Sequence, residues 1–340
     1  MPNINEVIKR PEYKFLYEDK HLKNKIMFLT FGGSISYGTN LPTSDIDIRG
    51  VALNSPEELI GIKSYEQYTD SNTDTTIYTF NKLVGLLMNC NPNTIEMLGC
   101  KPEHYAMLSE AGKMLIDNVE LFLSKRAFYS FSGYANSQLR RLQNAVARDR
   151  VSQGMKEDHI KNSILVAMNS FRDKYTNFDS NRMIISTIDS PNPELEKELV
   201  VDINLSKYPL REINAMLSEM TAIVRDYDKL NHRNNKKDEL HLNKHAMHLL
   251  RLYIMCYDIL MNHQVITYRE KEHDLLMSIR NGEFMNSDCT FSQDFFDIVD
   301  EYENKIKKAY ELSTLPDEPD YDKINEFVMK INRQAIEEAI

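Results

Sequence analysis

The stretch "FLTFGGSISYGTNLPTSDIDIRGV", Phe28 to Val51, decides how the chain is read. An apolar run ends in Gly32, Gly33 and Ser34, and a second begins some ten residues later with Asp45 and Asp47 at its mouth. Ile26 to Phe31 and Ile46 to Leu53 are short, apolar and bounded by turn residues, so both are predicted as strands. Glycine lets a backbone come close to a bulky anion and adopt angles that a side chain forbids. A strand, then Gly32-Gly33-Ser34, then a helix start is therefore a plausible phosphate cradle, with the Ser34 hydroxyl as an extra donor. Gly-Gly-Ser turns without a ligand are common, and alone this one specifies little.

Asp45 and Asp47 sharpen the reading. Alternate side chains of a strand share a face, so the two carboxylates are expected to point the same way, their backbones roughly 6.5 Å apart. Like charges so placed repel, and a divalent cation relieves them. Mg²⁺ suits oxygen ligands and sites shared with substrate phosphates, and Mn²⁺ accepts the same donors. For an isolated D-x-D a turn and a solvated acid would be the simpler explanation; here that explanation must also cover the glycines. A two-metal site needs a third carboxylate. Asp74, at the entry to a third strand over Thr75 to Phe80, is the candidate, because it shares a strand face with Thr76 and Tyr78. Asp70 is the alternative.

Length and composition frame the motif. With 340 residues the chain has room for two domains. Its first third reads as an α/β unit. There Asn81 is expected to cap a helix over Lys82 to Met88, and Asn91-Pro92-Asn93 to break it before a second short helix through Glu96 and Leu98. Beyond about Asn118 long amphipathic helical patterns take over: 119–150, 156–174, 210–229, 242–262, 295–313 and 321–339. A hairpin is expected at 182–205, and an acidic helical tail at 290–340. The working division is 1–115 and 116–340. No apolar run approaches a membrane span, no leader pattern is seen, and a cytoplasmic protein with no membrane partner is expected. The four cysteines show no metal-type spacing, so a metal would be held by oxygen. A net charge of −10 argues against broad clamping of nucleic acid, although Lys125 to Arg150 is locally basic.

The order Phe31-Gly32-Gly33-Ser34, Asp45-Ile46-Asp47, then Asp74 resembles the minimal nucleotidyltransferases of the DNA polymerase β superfamily. More narrowly, "GGSISYGTNLPTSDIDIRGV", "NPNTIEML", "GYANSQLRRL", "NKHAMHLLRLY" and "LLMSIRNGEF" resemble the RlaP/YcgL-like group, associated with RNA repair and also carried by phages. The likeness runs from about Phe28 to Phe284. It implies an α+β protein, with a polymerase-β-like catalytic domain followed by a mainly helical domain that binds nucleotide and acceptor. It also implies a reaction: an NTP or dNTP lies on the glycine turn, two Mg²⁺ ions sit on Asp45, Asp47 and Asp74, and an acceptor hydroxyl attacks the α-phosphorus with loss of pyrophosphate. Asp74 would lie nearest the acceptor and take its proton. The acceptor, an RNA or DNA end, a protein or a small molecule, is left open. A nucleotide-sensing or partner-binding module without turnover is the competing reading.

In "LHLNKHAMHLLRLYIMC" the helical rotation puts His241, Lys244, His248 and Arg251 on one stripe, which suits a triphosphate. Basic helix faces are more often solvated, and it is the resemblance around Lys244 to Arg251 that favours a role. Arg233, Lys236 and Lys237 add charge in a polar loop. A zinc site from His241, His245 and His248 lacks a fourth ligand. Arg49 is expected to neutralise the loaded site or to pair with Asp45. Tyr37 and Tyr134 are candidates for stacking on a base, Glu96 for anchoring the Asn91-Pro92-Asn93 turn, and Met247, Leu250 and Ile254 for the core.

Overall fold

In a computed structural model, the structure describes residues 2–149, 168, 171, 183–189, 197–205, 207–221, 223, 239–287 and 290–337. Five strands form one mixed sheet: β1 (Ile26–Phe31), β2 (Ile48–Ala52), β3 (Gln67–Asp70), β4 (Thr75–Thr79) and β5 (Tyr105–Ala106), in the order β3-β4-β2-β1-β5. All six residues of β1 are buried, which explains an uninterrupted apolar run rather than an alternating one. β1 runs antiparallel to β2, pairing Phe31 with Ile48, while β2 runs parallel to β4, pairing Ile48 with Thr75. The end of β1 and the starts of β2 and β4 therefore meet at one edge of the sheet. Whatever follows Phe31, precedes Ile48 or precedes Thr75 is delivered to the same place.

The expected strand at Ile46 to Leu53 starts two residues later and ends one earlier. Asp45 and Asp47 belong to the extended lead-in, tied down where Gly32 N–H donates to the Asp47 carbonyl at 2.8 Å and Ile48 N–H to the Asp74 carbonyl at 3.3 Å. After the glycines comes α1 (Gly33–Tyr37), and after β4 comes α2 (Phe80–Leu87). Thr79, not Asn81, is the N-cap of α2; the Asn81 N–H is bonded instead by Asn54 Oδ1 at 3.0 Å. That helix has Met88 as its C-cap, and Asn91 starts the next, its side chain accepting from Asn93 N–H at 3.0 Å with Pro92 at the first helical position.

The contacts group residues 1–142 with 239–340 as one compact unit and residues 143–238 as another, so they do not follow a division at 115/116. In the first unit Ile4, Val7, Ile8, Tyr13, Leu16 and Leu22 cover the sheet residues Leu29, Phe31, Ile48 and Ile77. This amino-terminal stretch, which reads in sequence chiefly as charge, is thus part of the sheet's core. The unit also contains α3 (Glu110–Asp117), α4 (Arg126–Asp149) up to residue 142, α5 (Glu239–Tyr257), α6 (His273–Arg280), α7 (Gln293–Leu312) and α8 (Tyr321–Glu337). α5 packs on α6 and α7 and buries Met247, Leu250 and Ile254, as expected of core residues. The acidic tail is part of this unit: Phe327 of α8 meets Phe80 and Phe122 edge to face, each at 6.3 Å. Arg126 pairs with Glu318 at 2.8 Å and Lys125 with Asp317 at 3.7 Å, so the tail answers the first two charges of the basic stretch.

In the second unit β6 (Met183–Asp189) and β7 (Lys197–Ile203) form the expected antiparallel hairpin. Met168, Phe171, Tyr208 and Met216 make its described core. The sequence-predicted helix at 156–174 lies outside the described residues except for positions 168 and 171, as do Arg233, Lys236 and Lys237. Among the described residues no helix is long and apolar enough to cross a membrane.

Candidate functional site

The sheet edge gathers the glycine turn and two of the three acids. Gly33 has φ +55°, and a Cβ built there would lie 1.9 Å from Asp47 Oδ2. Gly32 is approached less closely, by Arg49 Cγ at 2.9 Å and Asp47 Cβ at 3.3 Å from the position of a Cβ. Glycine is thus required at position 33 for the acid-bearing lead-in to lie flat against the turn. Ser34 is 6 % exposed. α1 is five residues long, so its dipole is small and the turn's reach toward an anion rests on its bare backbone.

Because β2 and β4 are parallel and in register, Asp47 and Asp74 are neighbours one step before Ile48 and Thr75. Their carboxyl groups are hydrogen-bonded to each other. Burial, then the bond with Asp74, pushes the Asp47 carboxyl up to about 7, while the bond from Asp47, with help from Arg49, holds Asp74 below the ordinary carboxylate range. Below about pH 7 Asp47 thus keeps its proton and Asp74 accepts from it. Asp74 has φ +43°, the left-handed region that Asp tolerates better than most residues. Asp70 stays in its own turn, accepting from Asn72 N–H at 3.2 Å and Thr73 Oγ1 at 2.9 Å.

Arg49 pairs with Asp74, Nη2 to Oδ1 at 3.2 Å, and not with Asp45. Its Nη1 also donates to the Ile48 carbonyl at 3.0 Å. Asp45 is exposed, two residues up the lead-in. Among the described residues no group of three or more His, Cys, Asp and Glu side chains is gathered so as to hold a metal ion, which leaves the histidines of α5 without a zinc site. The pair nonetheless suits Mg²⁺, an ion usually held by one or two carboxylates together with substrate phosphates. A bound ion would displace the proton that Asp47 and Asp74 share.

α5 meets this edge through Lys244, which is exposed and whose charge reaches both Asp47 and Asp74. His248 is held neutral, its pKa driven well below the usual imidazole value by burial and then by Arg251, Lys244, His245 and Arg280. Arg251 departs from the expectation of a ligand-facing stripe. It is 4 % exposed, its Nη1 bonds Glu96 Oε2 at 2.9 Å, and its guanidinium lies 3.6 Å from the centre of the Tyr37 ring. Tyr37 is also interior, its hydroxyl donating to Glu96 Oε1 at 2.8 Å, so it is not placed to stack on a base. Glu96 therefore serves α1 and α5 together rather than the Asn91-Pro92-Asn93 turn, where Asn91 caps its own helix. Tyr134 is 38 % exposed, with its hydroxyl accepting from Asn91 Nδ2 at 3.4 Å.

One residue at this edge escaped the sequence reading. Arg280, at the end of α6, is 7 % exposed and donates through Nη2 to Ser44 Oγ at 3.3 Å, beside Asp45. The only signal in "LLMSIRNGEF" was a basic residue directly after the apolar Ile279, at the end of the helix. A separate cleft of about 540 Å³, lined by Asn54, Glu58, Tyr65, Thr79 and Lys82 among others, includes none of these residues.

Searches of curated proteins and of solved structures found no match to the chain. Residues 8–162 match the model of the family described as RlaP, RNA repair pathway DNA polymerase beta family. The match holds β1 to β5, the glycine turn and all three acids, and a mixed sheet amid helices agrees with a polymerase-β-like domain. Over residues 8–162 the chain is thus similar to a family of polymerase-β-like nucleotidyltransferases.

Proposed function

We propose that this protein is a Mg²⁺-dependent nucleotidyltransferase, acting in the cytoplasm, that moves an NMP or dNMP from an NTP or dNTP to an acceptor hydroxyl. The observation that carries the proposal is the Asp47–Asp74 pair, pressed onto the bare backbone of Gly33 at the edge of the sheet. A structural ion pair would join opposite charges; two acids sharing a proton beside a glycine turn make better sense as a site completed by cations and phosphate.

Asp45, Asp47 and Asp74 would hold the ions, which when bound supply charge neutralisation for the polyphosphate and for the attacking oxygen. The chain's own residues do the rest. The turn at Gly32 and Gly33 admits the triphosphate without steric opposition, and Lys244 adds positive charge from α5. Arg49 fixes Asp74 and keeps it ionised. Asp74 then accepts the proton of the acceptor hydroxyl as that oxygen bonds to the α-phosphorus, and the bond from the α-phosphorus to the oxygen leading to the β-phosphate breaks, releasing pyrophosphate. Tyr37, Glu96 and Arg251 hold α1 against α5, and so the turn against Lys244.

The test is the purified chain with Mg²⁺ and each labelled NTP and dNTP in turn, offered RNA, DNA, protein and small alcohols. Pyrophosphate release and a product heavier by one nucleotide support the proposal. Nucleotide binding with no product from any acceptor supports the sensing module, a reading that the exposed position of Asp45 favours.

A further inference from the structure

Three arginines among the described residues are more than nine-tenths buried: Arg251, Arg269 and Arg280, at 4 %, 2 % and 7 % exposed. Two of them face acids. Arg251 meets Glu96, and Arg269 meets Asp258 and Glu272. Arg280 has no acidic partner among the described residues. Its one hydrogen bond is to the neutral hydroxyl of Ser44, and its Nε and Nη1 have no partner. A buried cation left without a counter-charge is costly, and an anion that meets it removes that cost.

The surroundings indicate the anion. Around His248 the charges that act are Arg251, Lys244, His245 and Arg280, all of one sign, and the same Lys244 reaches Asp47 and Asp74. Arg251 is answered by Glu96, and His245 Nδ1 lies 2.8 Å from Gln138 Oε1. Arg280 and Lys244 remain as the two fixed charges with no carboxylate of their own at hydrogen-bond distance, the one reached through Ser44 and the other exposed beside the acid pair. Two such cations, one bonded to Ser44 and one whose charge reaches Asp47 and Asp74, suit a polyanion more than a single carboxylate.

We propose that Arg280, with Lys244, is the receptor for the terminal phosphates of the nucleotide, which take the place of the Ser44 hydroxyl on its guanidinium. This deepens the transferase reading and rests on it for the word nucleotide. The anion site itself is testable without a nucleoside.

The experiment uses the full chain and Arg280→Met, which keeps the volume and removes the charge. With no counter-charge to strand, this variant should be as stable as the wild type or more so. Tripolyphosphate alone should raise the Tm of the wild type and leave Arg280→Met unmoved. By calorimetry ATP affinity should fall roughly 10- to 100-fold in the variant, the range of a charge-assisted hydrogen bond, while AMP affinity stays within about twofold. Equal losses for ATP and AMP, or an undiminished tripolyphosphate shift in Arg280→Met, overturn the proposal. So does a loss confined to a 5′-phosphorylated oligonucleotide, which would make the anion the acceptor's. Should the wild type never release pyrophosphate while the tripolyphosphate result holds, the transferase reading fails and the anion site stands.

Discussion

Gly33→Ala tests the close approach on which the acid pair depends. At φ +55° an alanine pays the left-handed penalty of about 1–2 kcal/mol. Its Cβ would start 1.9 Å from Asp47 Oδ2, so the carboxyl must retreat by about 1.5 Å to reach ordinary contact at 3.4 Å. That retreat breaks the bond to Asp74, for about a further 1–2 kcal/mol. The sum is about 2–4 kcal/mol, which for a domain of this size lowers Tm by about 4–16 °C. A misplacement of this order also costs about 100-fold in nucleotidyl transfer. Thermal melts and pyrophosphate release measure the two effects, with Gly32→Ala as the control: φ there is −106°, which any residue adopts, and the obstacle is the flexible Arg49 side chain. A Gly33→Ala protein that melts within about 1 °C of the wild type would refute the steric argument, because the left-handed penalty alone predicts more.

Glu96→Gln should leave Arg251 buried without a counter-charge and lower stability by about 3–5 kcal/mol. The double variant Glu96→Gln/Arg251→Met should recover most of that in the same melts; a double variant no better than the single would show that the charges are not what matters. With chelator present, Asp47 gives stability a pH dependence of known sign. Its carboxyl titrates near 7 in the fold and at 3.8 when unfolded, so its contribution is full below pH 3.8 and is lost as pH rises through about 7. Asp74 is shifted the other way, and its contribution is lost as pH falls through its depressed folded value. Tm should therefore decline between about pH 4 and about pH 7, and Asp47→Asn should flatten the decline; an unchanged slope would contradict the shared proton.

Local pattern carried much of this protein into view. β1 was legible as an apolar run bounded by glycines, and Asp74 was preferred to Asp70 by its position at a strand entrance, where the parallel register sets it beside Asp47. What escaped depends on partners distant in sequence. Arg251 looks like a ligand of phosphate until Glu96, 155 residues away, is seen to hold it. Arg280 looks like an ordinary helix residue until it is found buried with no acid. Tyr37 was one tyrosine among 18, and only its packing under Arg251 takes it out of the stacking candidates. The packing of the first 25 residues was hidden by their charge, because a few buried side chains, such as Ile4 and Val7, carry it, whereas the amphipathic pattern at 321–339 does bury Ile324 and Phe327.

The central claim is that Asp74 acts with Asp47 in nucleotidyl transfer. Pyrophosphate released per minute from labelled NTP with Mg²⁺, compared among wild type, Asp74→Asn and Asp70→Asn, tests it most directly. The account predicts a loss of about 100-fold or more for Asp74→Asn, and a rate within about twofold of wild type for Asp70→Asn. Equal rates in all three proteins, or a loss in Asp70→Asn alone, would contradict it.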